Sequence, residues 1–199
     1  RTESEYPRPG GMASVTPLRR YKLWPYSGGT RTPLIFVCPH RIRDPGAIRK
    51  QFVDVIDIAP TLLELAGTRF STAIDGVRQL PVAGVSFLGP VTHAATPPTR
   101  TVQYVEIRGG RAITQGKWRA VALHACSTSF ADDRWELFDL EKDFSESRDL
   151  SSRFPDRLAT LKTLWAQEWA RYSRYPFGEP PAFVCNLDEN FDRRGSVND

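Results

Sequence analysis

The chain has few of the residues that support several common kinds of site. It contains only three cysteines, three histidines and one methionine among 199 residues. The cysteines, Cys38, Cys126 and Cys185, lie far apart and are odd in number, so they indicate neither a zinc-binding pair nor a disulfide framework. Sparse cysteine is typical of a reducing compartment, and we expect a soluble, cytoplasmic protein.

Long apolar runs are also missing from the sequence. None approaches the roughly 18 residues that a membrane-spanning helix needs, so we expect no membrane partner. The first residues lack the basic-then-apolar pattern of a secretory signal. The sequence starts at Arg1 and its only methionine is Met12, from which we expect a fragment of a longer protein.

Positive charge is concentrated at one end of the chain. The net charge is +4, but residues 1–50 carry +7 and the remainder carries −3. Such a basic region favours an anionic ligand. No helix-turn-helix, zinc-finger or RNP pattern accompanies it, so we expect no nucleic-acid partner.

The basic region centres on residues 16–39, where cations and aromatic rings precede Gly28–Gly29 and an apolar run. The glycine pair permits a close approach of backbone that a Cβ would block. Residues 34–37 predict a buried strand. A lysine in such a loop can neutralise a bound oxyanion, which makes Lys22 the candidate substrate-binding residue. The alternative is a basic surface that only faces water.

Three further segments of the first half have a local pattern. Residues 1–15 predict an irregular lead-in. Residues 57–67 predict a helix with Asp57 as N-cap and Gly67 as its C-terminal stop. Residues 68–100 predict a long connection. The apolar face of the helix comprises Ile58, Leu62, Leu65 and Ala66.

After residue 100 the pattern changes to an antiparallel meander and a helix. Gly109–Gly110 predicts a hairpin turn of the primed type. Residues 155–172 predict a helix whose apolar stripe packs on the sheet rather than forming a ligand site. The four strand candidates are 101–107, 111–114, 118–123 and 134–140, and the stripe comprises Leu158, Leu161, Trp165, Trp169 and Tyr172.

The chain therefore divides into three regions. Residues 1–99 have α/β character, with too few strands to close a parallel sheet alone. Residues 100–175 form an antiparallel β subdomain with its packing helix. Residues 176–199 predict a disordered tail, because they are rich in proline, glycine, asparagine and charge.

The remaining candidates for chemistry are isolated in the sequence. His40, His93 and His124 have no serine, cysteine or second histidine at a catalytic spacing. The pair Asp132–Asp133 could bind a cation or simply face water. No metal site is predicted in this chain.

Nine blocks of the sequence occur in a consistent order: 16–22, 28–29, 32–35 with Pro39, 52–67, 75–76, 84–87, 116–119, 135–140 and 143–150. Together they resemble the type I sulfatase (arylsulfatase) family of the alkaline-phosphatase-like superfamily. The resemblance implies an α/β fold, here a partial alkaline-phosphatase-like (sulfatase) fold with a C-terminal four-stranded antiparallel sheet plus helix. It also implies hydrolysis of a small-molecule sulfate ester by the complete enzyme. Lys22 matches the lysine that contacts the sulfate group in this family.

The resemblance also implies chemistry that the sequence does not encode. The family uses a formylglycine nucleophile made within a Cys/Ser-x-Pro-x-Arg motif, and a calcium ion bound by an early aspartate pair and a later Asp-Asn-Gly. Neither motif occurs here, so the chain resembles a C-terminal part without nucleophile or metal ligands, and we expect it to be inactive alone. Ser27 stands where relatives have glutamate, and no catalytic role is assigned to it.

Two alternatives stay open at this point. The chain could be a truncated, non-catalytic remnant of a sulfatase. It could also belong to a phosphodiester or phosphonate hydrolase of the same superfamily, because the matching loop blocks do not separate sulfate from phosphate.

Overall fold

The computed structural model describes residues 8–125 and 128–173. The predicted disordered tail at 176–199 lies outside them. The described helices and strands are, in chain order, α1 (Arg8–Val15), α2 (Ser27–Thr30), a 3-10 turn (Val55–Asp57), α3 (Ile58–Leu65), β1 (Ala73–Ile74), β2 (Val77–Arg78), α4 (Leu88–Thr92), β3 (Val102–Ile107), β4 (Gly110–Gln115), β5 (Trp118–Ala122), a second 3-10 turn (Phe130–Asp132), β6 (Trp135–Asp139) and α5 (Pro155–Tyr172). None of these helices is long and apolar enough to cross a membrane.

The chain forms two compact units. The sheet unit comprises Arg1–Thr32 and Val102–Asp199, and the middle unit comprises Pro33–Thr101. The sequence-based division placed residues 1–32 with the segment that follows them. In the structure the described part of this region packs on the sheet that starts 70 residues later.

The predicted four-stranded meander is present, with the antiparallel order β3–β4–β5–β6. Its first hairpin turn lies one residue earlier than predicted. Arg108 and Gly109 take the two left-handed positions, with φ of 51° and 80°, and Gly110 already pairs with Ile107. Two successive positive φ values are the signature of the primed turn that suits the twist of a hairpin.

The two faces of the sheet are covered differently, because alternate residues of each strand point to opposite sides. On one face Ile113 and Leu137 are fully buried with Leu161 and Trp165 of α5. This confirms the predicted helix and its role as a cover. The opposite face, which includes Phe138, packs against aromatic side chains of the residue 16–30 region.

In the middle unit the predicted helix forms as the 3-10 turn and α3. Gly67, with φ of 66°, ends it, and the amides of Gly67 and Thr68 bond back to carbonyls of the last turn. The predicted apolar face is wrong in part, since Leu62 is half-exposed and the fully buried residue of α3 is Thr61. Thr61 is buried because its hydroxyl accepts the Phe87 amide at 3.0 Å and donates to the Asp57 carbonyl.

Asp57 organises the middle unit in a way its predicted N-cap role does not describe. Its side chain is fully buried and makes no capping bond to α3. Instead it accepts hydrogen bonds from the Val85 amide at 2.8 Å, the Asp54 amide at 2.9 Å and the Arg100 guanidinium. One carboxylate therefore fastens together three segments of a unit that has little apolar core.

Two local predictions are wrong. Residues 34–37 form no strand, and Ile35 and Val37 are 88% and 78% exposed. A strand needs a neighbour to pair its backbone, and no described segment pairs with this one. Residues 8–15 form α1 rather than an irregular lead-in, helped by Pro9 in the first turn, where its missing N–H is no loss.

Candidate functional site

The predicted substrate-binding residue lies on a well-anchored loop. We call residues 16–30 the lysine loop. Trp24 and Tyr26 of this loop are each only 2% exposed, and they pack on the sheet face opposite α5. Lys22 is exposed, and among residues 8–125 and 128–173 it makes no ion pair. The loop thus presents the exposed Lys22 cation on a buried base.

The backbone around Lys22 adopts an uncommon conformation. Arg20 and Leu23 both have left-handed backbone, with φ of 64° and 78°. Non-glycine residues are rarely found there, and the surrounding contacts must hold them in place. Two backbone bonds close the loop, from the Trp24 amide to the Tyr21 carbonyl and from the Gly28 amide to the Arg19 carbonyl.

The glycine pair is required by these close approaches, as the sequence predicted. A Cβ built on Gly28 would lie 1.9 Å from the Arg20 carbonyl oxygen. One built on Gly29 would lie 2.2 Å from the Trp24 carbonyl oxygen. Both contacts are with backbone, which cannot rotate away, so larger residues do not fit this loop geometry.

The first side-chain anchor of the loop involves Glu136 of β6. The Arg19 guanidinium donates to Glu136 at 3.1 Å and stacks over the Tyr26 ring, 4.2 Å from its centroid. The Tyr26 hydroxyl donates a short hydrogen bond to the other Glu136 oxygen. Burial, followed by the neighbouring carboxylate, raises the pKa of Tyr26 above its ordinary value, so the phenol remains a proton donor.

The second anchor is a fully buried ion pair between Glu146 and Arg119 of β5. The Glu146 carboxylate accepts the Ser27 amide at 2.7 Å, and its other oxygen lies 2.9 Å from Arg119 Nε, close but not aligned as a hydrogen bond. Arg119 in turn donates to the Pro25 carbonyl and, at 3.0 Å, to the Thr30 hydroxyl. Burial raises the pKa of Glu146 and lowers that of Arg119, and each partner opposes the shift of the other.

The acidic pair considered as a cation site has a different role. The Asp133 side chain is almost fully buried and pairs with Arg111 and with His124 Nδ1, the latter at 3.1 Å. His124 also stacks on Phe130, with ring centroids 3.9 Å apart. Asp132 is exposed and does not join this cluster, so the pair does not present two carboxylates to one cation.

The other sequence candidates belong to the middle unit or lie outside the described residues. His40 and His93 are exposed residues of the middle unit, and Cys38 is a half-buried free thiol there. Cys126 and Cys185 lie outside the described residues. The described residues also contain no group of three or more histidine, cysteine, aspartate or glutamate side chains that could hold a metal ion.

Known proteins similar to this chain are sulfatases. An uncharacterized sulfatase of Schizosaccharomyces pombe is 31% identical over 161 residues, which is 77% of this chain and 27% of that protein. Arylsulfatase K of Danio rerio is 26% identical over 155 residues, 72% of this chain and 27% of that protein. Arylsulfatase K of Xenopus laevis is 28% identical, covering 71% of this chain and 26% of that protein. No family profile matches.

The chain belongs to the sulfatase family. It spans about a quarter of the length of the curated sulfatases that it matches.

Solved structures show the same fold. Ps i-CgsB superposes with a TM-score of 0.61 at 20% identity, covering 92% of this sulfatase chain and 37% of that structure. A Bacteroides thetaiotaomicron protein from work on glycosaminoglycan metabolism superposes with a TM-score of 0.60 at 18% identity, covering 77% and 32%. The predicted α/β class, with its four-stranded antiparallel sheet and helix, is confirmed as part of the alkaline-phosphatase-like sulfatase fold.

The anchoring residues of this sulfatase loop were missed by sequence reasoning. Arg119, Glu136 and Glu146 each lie within a block that matches the family, but nothing in the spacing connects them to a loop more than 80 residues earlier. The sequence signal that could have found one of them is Arg119, the single charged residue in the otherwise apolar strand β5. Arg119 is the second residue of β5 and is buried, so an unpaired cation there would be costly and a buried partner is required.

Proposed function

We propose that this chain supplies the lysine loop of a sulfuric ester hydrolase of the arylsulfatase type. In this proposal Lys22 contacts the sulfate group of a small-molecule sulfate ester. One observation supports it most directly. Lys22 is an exposed cation on a loop held rigidly by buried anchors, within a chain related to sulfatases over three quarters of its length.

The chemistry follows from charge and geometry. A lysine ammonium is a compact point charge with three donors, which suits the oxygens of a sulfate group. When the ester bond breaks, negative charge grows on oxygen, and a cation already in place stabilises it without reorganisation. Because the loop backbone is fixed by Gly28 and the buried anchors, little backbone conformational entropy is lost when Lys22 meets the ester.

The remaining parts of such an enzyme do not fit the residues present. In the complete family enzyme, a calcium ion and a formylglycine nucleophile would supply the rest of the chemistry. The sequence has no Cys/Ser-x-Pro-x-Arg and no Asp-Asn-Gly, and the described residues form no metal-binding group. We therefore propose that these groups come from polypeptide outside the printed sequence, and that the 199-residue chain alone has no sulfatase activity.

The coding sequence just upstream provides the first test. An in-frame Cys/Ser-x-Pro-x-Arg and Asp-Asn-Gly would support an enzyme, whereas an intervening stop codon or frameshift would favour the truncated remnant. The purified 199-residue chain should not turn over p-nitrophenyl sulfate in the presence of calcium. Turnover by that chain would contradict the proposal that the nucleophile and the metal ligands lie outside it.

The second test uses the continuous reading frame, expressed with its formylglycine-generating machinery. We expect Lys22→Ala to lower kcat for p-nitrophenyl sulfate by about 10²- to 10³-fold, the usual cost of removing one electrostatic stabiliser. Lys142→Ala is the matched control, since Lys142 is another exposed lysine of the sheet unit. Equal activity of the two variants would overturn the role of Lys22, and a preference for p-nitrophenyl phosphate would favour the phosphate alternative.

A further inference from the structure

We infer that Glu146 is a positioning residue for Lys22, setting the conformation of the lysine loop from the turn that follows β6. This inference rests on the proposed function for its catalytic meaning. The geometry itself is independent of any activity, because it concerns only how this chain holds its own loop.

The contacts of Glu146 go to the loop and to the residue that holds the loop. One carboxylate oxygen accepts the Ser27 amide at 2.7 Å, at the start of α2. The other lies 2.9 Å from Arg119 Nε. Nη2 of the same guanidinium donates to the Pro25 carbonyl and the Thr30 hydroxyl. A single buried carboxylate thus fixes both ends of α2, directly at one end and through Arg119 at the other.

The backbone of Glu146 shows that its placement is enforced. Glu146 has a φ of 55°, a left-handed value that is unfavourable for a non-glycine residue and persists only where surroundings over-determine it. The turn that carries it is built by Asp143, which accepts the amides of Ser147 at 3.1 Å and Arg148 at 2.8 Å. The acidic turn therefore presents Glu146 inward, with no solvent exposure of its side chain.

Its neighbour Asp149 provides a contrast within the same turn. Asp149 accepts the Leu137 amide at 3.1 Å and the Ser151 amide at 2.9 Å, and its other oxygen pairs with Arg134. These bonds fasten the turn to β6 and do not reach the lysine loop. Glu146 therefore holds the lysine loop, whereas Asp149 holds the turn to β6, and substituting each residue in turn distinguishes the two roles.

Amide hydrogen exchange of the 199-residue chain, followed by NMR, tests the inference. In Glu146→Ala we expect the Ser27 amide to exchange about 10- to 100-fold faster, since its hydrogen bond to a charged acceptor is lost. The Gly28 amide, which bonds to the Arg19 carbonyl, should also exchange faster because the loop loosens. Amides of β4 and β5 should keep their protection. In Glu146→Gln the side-chain oxygen can still accept the Ser27 amide, so exchange there should be partly rescued. Asp149→Ala is the control and should leave the loop amides unchanged.

The outcomes separate this inference from the proposed function. If Glu146→Ala does not fold, Glu146→Gln and Asp149→Ala decide the question. Loop amides that respond no more to Glu146 substitution than to Asp149→Ala would overturn the inference. Faster exchange throughout β4 and β5, without rescue by glutamine, would show a general structural role and also overturn it. Faster exchange confined to the loop amides, together with equal hydrolysis by Lys22→Ala and Lys142→Ala, would leave this inference standing and refute only the proposed function.

Discussion

Substitution of Gly28 by alanine tests the tightest contact of the lysine loop. The added Cβ would lie 1.9 Å from the Arg20 carbonyl oxygen and 2.6 Å from the Arg19 carbonyl oxygen. Because both neighbours are backbone atoms, no rotamer change relieves the clash. The chain must then either strain the loop or release it from the sheet.

The two routes differ in free-energy cost. Overpacking a tight site costs typically 1–3 kcal/mol, and contacts this short lie at the upper end, about 3 kcal/mol. Releasing the loop instead exposes both Trp24 and Tyr26, each now 2% exposed, and at about 1.5–3 kcal/mol per side chain this costs about 3–6 kcal/mol, so straining the loop is the cheaper route. We therefore expect Gly28→Ala to lower the free energy of unfolding of the sheet unit by about 3 kcal/mol.

Urea unfolding followed by circular dichroism measures this change. Gly116→Ala is the matched control in the same unit, because a Cβ there meets nothing within 4 Å and only the φ of 57° opposes it. A left-handed alanine costs about 1–2 kcal/mol. If Gly28→Ala were no more destabilising than Gly116→Ala, the loop would not be held as closely to its own backbone as described.

Two further predictions concern the middle unit. Burial alone raises the pKa of Asp57, but hydrogen bonds from Arg100 and the Val85 and Asp54 amides outweigh it and lower the pKa below 3.8. The unfolded state then binds more protons in acid, so this stabilisation is complete above about pH 3.8 and lost as pH falls through the folded-state pKa. Urea midpoints measured from pH 6 to pH 2 should fall, and should fall less in Asp57→Asn; an unchanged profile in that variant would refute the assignment. The second prediction is that the 199-residue chain self-associates through apolar residues such as Ile35 and Val37, which are 88% and 78% exposed. Replacing both with serine should reduce light scattering without lowering the unfolding midpoint, whereas a sharp monomeric melt of the original chain would contradict the prediction.

The sheet and α5 were predictable because their signals are local. A hairpin needs its two left-handed turn residues within a few positions, and α5 shows its stripe within its own 18 residues. The one-residue displacement of the first turn arose because Arg108 took a left-handed position that the sequence offered to Gly110. Residue type alone does not decide between adjacent turn registers.

The errors occurred where partners decide the structure. The run at 34–37 has strand composition, but a strand forms only when another backbone pairs with it, and composition cannot report that. The anchors of the lysine loop were not predicted for the same reason. Ser27 and Glu146 are 119 positions apart, and no local pattern in the sequence links them. Lys22 and the glycine pair were found because a loop of cations followed by glycines is recognisable without knowing what it contacts. The function of Lys22 stays a prediction until the assays described above are done.

The distance in sequence between Ser27 and Glu146 has a consequence for biosynthesis. The two residues are 119 positions apart, and the ribosome makes the loop first. At about 5–20 residues per second, the loop waits roughly 6–24 s for the carboxylate that fixes it. Until then its aromatic side chains have no sheet to cover, and its backbone has no reason to adopt left-handed conformations. The lysine loop is therefore translated well before the carboxylate that fixes it, and it acquires its shape only after the sheet has been made.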